Sequence, residues 1–399
     1  IIDNQSNNYD IIFKGNDGGS TITALSLDMS DAGTAYFNNR LYIPDYIAHN
    51  GDPNSLFGFS ANDTFIINTG GTTRVTVTDT GTVFAGTVTG ATSYNGIPFY
   101  SDAANNSMYT HNVSGTDDTA QYNTAYGFTA MDAITTGDQN TAVGYAAGGA
   151  ITTGTGNVSL GYRAGLTLTT GHNNVAIGNN ALLSEDGDGF NVAIGASALK
   201  DLNAGADAYN VAVGHAAGEN VTTGIKNTLI GGLAGDALDT GNNNTALGYN
   251  ALGQETKGDR NVAVGANALV TQNNTSNVDS YNTAIGYDAG TAMTTGIQNT
   301  LIGGLAGDAL TIGNNNIAIG YLALSTSVDG DSNTAIGYKA LEDYEDGDGN
   351  GHNTAVGASS QLNATTGEYN TSLGSLSMGT GVTTGDSNVA IGYKAAQAL

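Results

Sequence analysis

The sequence predicts an all-β chain: a parallel β-solenoid (β-roll) of about sixteen 17-residue coils, preceded by a smaller β-rich module. Three observations carry that prediction. One phrase recurs from residue 123 onward at a near-constant spacing of 17 residues. Within the phrase, residue character alternates with the period of two that belongs to strands. Glycine fills 59 of 399 positions and proline only three, and the glycines fall in turns that join short strands.

The phrase is Asn, then Thr or Val, then Ala or Ser, then an aliphatic, then Gly. Sixteen copies run from the one at Asn123 to the one at Asn388, and eleven of the fifteen spacings are 17 residues. Three residues after the Gly stands Ala in fourteen copies, with Ser360 and Ser377 in the other two. Each copy is expected to form two short strands joined by glycine-bearing turns. In Asn333-Thr334-Ala335-Ile336-Gly337, the aliphatic fourth position is assigned to the core. The small third position is assigned to a surface that another layer or chain approaches. Stacked Asn side chains can hydrogen-bond from coil to coil. A 17-residue coil cannot bury its own apolar side, whereas stacked coils can, giving a rod of roughly 75 Å at ~4.8 Å per coil.

A longer period sits on the first. The residue after the Ala reads Gly148, Gly165, Leu182, Leu199, and this Gly-Gly-Leu-Leu order repeats every four coils through Leu341. Residues 222–252 and 294–324 are near-copies displaced by 72 positions, as duplication of a four-coil block would leave them. Enlarged coils begin at Asn191, Asn261 and Asn333, always the second Leu coil. Their insertions, after Leu199, Leu269 and Leu341, are expected to protrude on one face about 19 Å apart. Polar stretches such as Gln272–Asn277 are expected to point outward. Insertions of this kind are the binding candidates of a solenoid. They hold Lys200, Asp201 and Tyr209; Gln272, Asn273, Asp279 and Tyr281; and Glu342, Tyr344, Asp346 and His352.

Residues 1–122 lack the period and divide into a β-rich module (1–90) and a connector (91–122), ahead of the solenoid at 123–399. Asp63–Thr69 and Thr73–Thr78 alternate apolar and polar around a Gly70-Gly71 turn. Asp79-Thr80-Gly81 turns the chain into Val83–Thr89. Ile11–Phe13 and Ala35–Ile43 are shorter strand candidates.

Composition excludes several functions. With 36 acidic and 10 basic side chains the net charge is −26, which rules against phosphate backbones and anionic membrane surfaces. No apolar run approaches the ~18–20 residues that span a bilayer. The absence of cysteine removes disulfides, thiolate metal sites and thiol catalysis. The first residue, Ile1, points to a processed or partial product in which any targeting segment is invisible. Five histidines stand in no metal-ligand spacing, and neither a Gly-x-Ser-x-Gly elbow nor a Walker loop occurs. The chain is therefore read as a non-enzyme without cofactor. Calcium is the alternative chemistry. Asp346-Gly-Asp348-Gly-Asn350-Gly351 matches the first half of an EF-hand loop, but Gly357 stands where the bidentate acid belongs. Asp186-Gly-Asp188 and Asp329-Gly-Asp331 are similar fragments. Solvated acidic turns are the preferred reading of all three. Tyrosine follows the motif Gly in seven copies, a stripe read as a packing ladder or chain–chain contact rather than a sugar platform.

The unit Asn-Thr-Ala-Ile-Gly-Tyr-x-Ala resembles the repeat of tail-fibre shafts from marine tailed phages. It is also similar to the left-handed β-roll repeats in the heads of trimeric autotransporter adhesins. Asp10–Gly19, Leu25–Asp31, Tyr46–Asp52 and Thr73–Gly81 resemble phrases common upstream of such repeats. The resemblance covers nearly the whole chain and implies a homotrimeric structural fibre of a virion, acting in host recognition and attachment. Its partners would be a host-surface receptor or glycan and other virion components. A bacterial trimeric surface adhesin or extracellular filament subunit is the alternative. The stalk and membrane barrel of such adhesins do not appear before Leu399. Fibres of the resembled type often continue into a chaperone domain that cleaves itself off, and a chain ending inside a repeat is compatible with that.

Overall fold

The structure, a computed structural model, describes residues 11–28, 34–37, 46–49, 52–61, 63–79, 81–84, 93–94, 97–98, 100–102, 107–109, 119–345, 351–379, 381 and 384–397. The chain divides into two compact units, Ile1–Ala91 and Thr92–Leu399.

The first unit is antiparallel throughout. Ile11–Asp17, Ser20–Asp28 and Thr34–Phe37 form a three-stranded sheet. Tyr46–His49, Asp52–Ala61, Thr64–Thr69, Thr72–Thr78 and Gly81–Phe84 form a five-stranded meander. The expected Gly-Gly hairpin is present: Gly70 and Gly71 have φ of 56° and 75°, the left-handed pair that matches the twist of two flanking strands. Ser20–Asp28, Tyr46–His49 and Asp52–Ala61 were not assigned from sequence. The expected continuations through residues 38–43 and 85–89 lie outside the described residues.

The second unit is a parallel β-solenoid. Each motif supplies one three-residue strand, such as Thr334–Ile336, and these strands stack in chain order into an eighteen-stranded sheet. The expectation of two strands per coil holds in only two coils, where Gly258–Asp259 and Val278–Asp279 pair in parallel; in the other described coils the rest is turns and bends. The stack also begins earlier than Asn123. Ser107–Tyr109 lies parallel to Thr124–Tyr126, with Met108 opposite Thr124, inside the segment read as a connector. Enlarged coils do not disturb the ladder, since Val192 still pairs with Val211, Val262 with Thr283 and Thr334 with Thr354.

The motif Asn forms a polar spine. Every Asn from Asn140 to Asn388 donates its backbone N–H to the Oδ1 of the Asn one coil earlier, as Asn244 does to Asn227 at 2.9 Å. The Asn227 Nδ2 donates to the Gly241 carbonyl at 2.8 Å, closing its own turn. At the first rung Ser107 replaces Asn, its hydroxyl accepting from the Asn123 N–H at 3.0 Å. The side chains from Asn123 to Asn370 are buried, and the spine meets the need of buried amides for partners.

The core assignment inverts the expectation. Ala335 and its equivalents at the third motif position are fully buried, whereas Ile336, at the fourth, is half-buried and Ile194, Leu247 and Leu373 are 36%, 45% and 49% exposed. The reason is room. The third-position row faces the buried Ala row at the eighth coil position, Ala130 to Ala340, and two alanine rows let the walls of a short coil close. Larger side chains at that point face outward. The interior bulk comes instead from the ninth and twelfth coil positions, including Leu182, Leu199, Ile134, Leu168 and Leu238.

The four-coil period is a packing device. Where the ninth position is Leu, the third is Ala. Where two successive ninth positions are Gly, the second coil carries a larger third residue: Ser159 beside Gly165, Leu229 beside Gly235, Leu301 beside Gly307. Volume is thus exchanged between two positions of the same layer. The ninth position also needs left-handed backbone, at φ 50° in Leu182 and 56° in Gly235, so its leucines sit in a strained region held by the stack. The motif Gly is stricter. Gly231 has φ 137°, and a methyl group there would collide with the Gly248 carbonyl oxygen.

Candidate functional site

The outer face of the long sheet is an exposed, largely apolar surface. Second and fourth motif positions share it, so every rung presents Thr or Val (Ile317 once) beside an aliphatic (Tyr126 once). Val158, Leu160, Ile194, Leu247, Ile285 and Ile317 are between 36% and 45% exposed. Contiguous exposed apolar strips of this kind are uncommon on single soluble chains. Sequence reading missed it because aliphatic character was equated with burial in one chain. The signal was available in the Ala row three residues after the Gly, which already fills the inside.

The three insertions leave the stack between the twelfth coil position and the next motif Asn, and their strands stand four rungs apart in the sheet. Only part of each of the first two protrudes, and residues 346–350 of the third lie outside the described residues. In the first, Asn203 and Gly205–Asp207 are exposed while Leu202 and Ala208 are buried. In the second, Gln272 and Asn274 are buried, against the expectation that Gln272–Asn277 points outward, and Thr275, Ser276 and Asn277 form the exposed tip. Gln272 lies at the twelfth coil position, where it donates to Asn261 at 3.2 Å and accepts from Asn282 at 3.3 Å. Tyr344 takes the same position in its own coil and is also fully buried. Neither side chain is presented to a partner.

The remaining candidates are exposed or half-buried, but the fold spreads them over separate coils. Lys200 pairs with Glu219 at 2.8 Å and with Asp201 at 3.6 Å; hydrogen bonding to Glu219 raises its pKa despite some desolvation. Asn273 accepts from the Thr256 hydroxyl at 2.9 Å. Asp279 pairs with Arg260, whose guanidinium lies 5.4 Å from the Tyr281 ring centroid. Glu342 accepts from Lys339 at 2.7 Å. Asp346 lies outside the described residues. Tyr209, Tyr281 and His352 share one repeat position, the left-handed residue before the motif Asn, with φ of 53°, 50° and 54°. They belong to a turn column rather than to the insertions. Tyr209 stacks on Phe190 at 4.9 Å and His352 on Tyr369 at 5.0 Å.

The stripe after the motif Gly forms a second aromatic column. Where consecutive rungs carry rings they stack, Phe128 on Tyr145 at 6.3 Å, Tyr145 on Tyr162 at 5.4 Å and Tyr321 on Tyr338 at 6.1 Å. Rings stacked on each other offer edges, not faces.

The acidic turns are built into the coil. Asp138, Asp259 and Asp331 accept the backbone N–H of Gln121, Asn242 and Asn314, one coil earlier, at 2.7, 2.6 and 2.6 Å. Glu185 and Glu255 replace the aliphatic twelfth residue; each turns a carboxylate back on its own loop, and Glu255 also reaches the next coil. Glu255 Oε1 accepts from Gly258 at 2.7 Å and its Oε2 from the Asn274 amide at 2.9 Å. Glu185 accepts from the N–H of Asp188 at 2.8 Å and of Gly187 at 3.2 Å, while its other oxygen has no donor. Burial, with the nearby Asp188 and Asp186 charges, pushes its pKa up to about 7. Among the described residues no three His, Asp or Glu side chains are grouped to hold a metal ion, and no helix is long and apolar enough to cross a membrane.

Compared with known proteins, the chain matches no family model, no curated protein and no solved structure.

Proposed function

We propose that this chain is a structural fibre protein, a homotrimeric phage tail fibre that acts in host recognition and attachment. The observation that carries the reading is the outward apolar strip of the solenoid. A partner covering it needs a straight apolar surface that repeats at the same ~4.8 Å rise, and another copy of the same solenoid has that period by construction. Closed association of identical chains buries the strip and leaves the turn columns and insertion tips facing solvent. Three copies follow from the resemblance of the repeat to trimeric fibre shafts and adhesin heads.

In this reading the rod is a spacer and the protruding positions contact the host. Each contact is weak, and three chains with repeated coils multiply it, since linked contacts raise effective concentration without any new bond. The protein would work on the virion or otherwise outside the cell, with a host-surface receptor or glycan and other virion components as partners. Sedimentation equilibrium at moderate salt is the test. A species of three chains is expected, and a stable monomer at micromolar concentration rejects the proposal.

A further inference from the structure

The aromatic column after the motif Gly is interrupted at Asn179, Ala196, Gly232, Ala266, Gly304, Ala358 and Ser375, and at one of these gaps, Ala266, both flanking residues are unstacked tyrosines. Tyr249, Ala266 and Tyr287 occupy this position on three successive rungs, whose strands Thr245–Leu247, Val262–Val264 and Thr283–Ile285 are neighbours in the sheet. The rungs stay in register at that point: the Asn267 N–H donates to the Tyr249 carbonyl at 3.0 Å, and the Asp288 N–H to the Ala266 carbonyl at 3.1 Å. The two tyrosines therefore stand two rungs apart, about 9.6 Å, with only a methyl group between them. Beyond them the column holds Gly232 and Gly304, so neither ring is stacked, and each is 60% exposed.

We propose that the slot between Tyr249 and Tyr287, floored by Ala266, binds a neutral pyranose ring. A ring seated between two tyrosines about 9.6 Å apart along the stack can touch both, and a puckered ring presents C–H groups on both of its faces.

The neighbouring coil position supplies the polar groups a sugar requires. Asn250, Asn267 and Asp288 each follow the column residue on these three rungs and are half-buried. Asn267 Nδ2 donates to Asp288 Oδ1 at 2.9 Å. A carboxylate has about four acceptor positions, so Asp288 keeps capacity for a hydroxyl of the ligand, and the Asn250 and Asn267 amides offer both donors and acceptors. The carboxylate and the chain's net charge of −26 select against anionic sugars. Only the biological source of the sugar, a host-surface glycan, rests on the fibre reading.

The test is saturation-transfer NMR on the full chain with three probes: cellohexaose, maltohexaose and an α-linked mannohexaose. At least one should receive saturation. Tyr287→Ala should reduce transfer at least tenfold. Ala266→Tyr should do the same while completing the aromatic column, so its thermal stability should equal or exceed the parent's. The inference is overturned if no hexasaccharide receives saturation, or if Ala266→Tyr folds normally and transfers as the parent does. Sedimentation of the same samples separates the two proposals. A trimer without transfer removes the site and leaves the fibre. A monomer with slot-dependent transfer does the reverse.

Discussion

Leu229 occupies the space that Gly235 leaves open: a methyl group on Gly235 would stand 2.8 Å from the Leu229 Cδ2 and 2.9 Å from Leu238. The same exchange recurs 72 residues later between Leu301 and Gly307.

Leu229→Ala should destabilise its layer by about 2–5 kcal/mol, the usual cost of a buried Leu cavity. Gly235→Leu alone should also destabilise, by overpacking. The double variant reproduces the Ala-and-Leu arrangement of the coil at Asn191, and should recover most of the loss. Hydrogen exchange across residues 227–244 reads each variant, because a long repeat need not unfold in two states. Additive effects in the double variant would refute volume exchange.

Asn227→Ala removes the acceptor of the Asn244 N–H and the donor to Gly241. Each buried group left unpaired costs about 1–3 kcal/mol. Asn227→Asp should be worse, since it keeps the shape, loses the donor and buries a charge. Thermal melts should rank parent above Ala above Asp.

Ile336→Asp separates folding from assembly. The side chain is half-buried on the outer strip, so the variant should keep its coils, by circular dichroism, and lose self-association by sedimentation. Failure to fold would return the fourth position to the interior.

Glu185 gives a pH dependence of definite sign. Its folded pKa of about 7 lies above the ordinary 4.5, so its carboxyl favours the folded state when protonated. That contribution is fully present below about pH 4.5 and is lost as pH rises through 7. Asp236, Asp308 and Asp343 are also raised, chiefly by burial, and act in the same direction. Glu185→Gln should therefore melt higher than the parent at pH 8, with little difference at pH 4. An equal gap at both values would contradict the assignment.

The period, the place of the motif strand and the Asn spine were legible in the sequence, because each repeats sixteen times and has one physical reading. The direction of the strand was not. Ala335 and Ile336 alternate equally well in either orientation, and only the size of the cavity behind them decides. Gln272 and Tyr344 were misplaced for a different reason. They were grouped with the insertions, although aligning each coil from its Asn puts both in the column of Ile134, Leu168 and Leu238. The open slot at Ala266 needed the structure, since the sequence shows which rungs lack a ring but not that the remaining rings stay in register.

Because the strand and Asn bonds link one coil to the next along the stack, the rod has distinctive mechanics under tension. The links are loaded in series, so a pull on the two ends tests them one coil at a time rather than all together. Each failure releases a 17-residue coil, about 55 Å of slack at ~3.4 Å per residue. In a single-molecule stretching trace the result is a staircase of near-equal steps, lengthened at the three enlarged coils. A stack of this kind yields by paying out line, absorbing the jerk while the remaining coils stay folded.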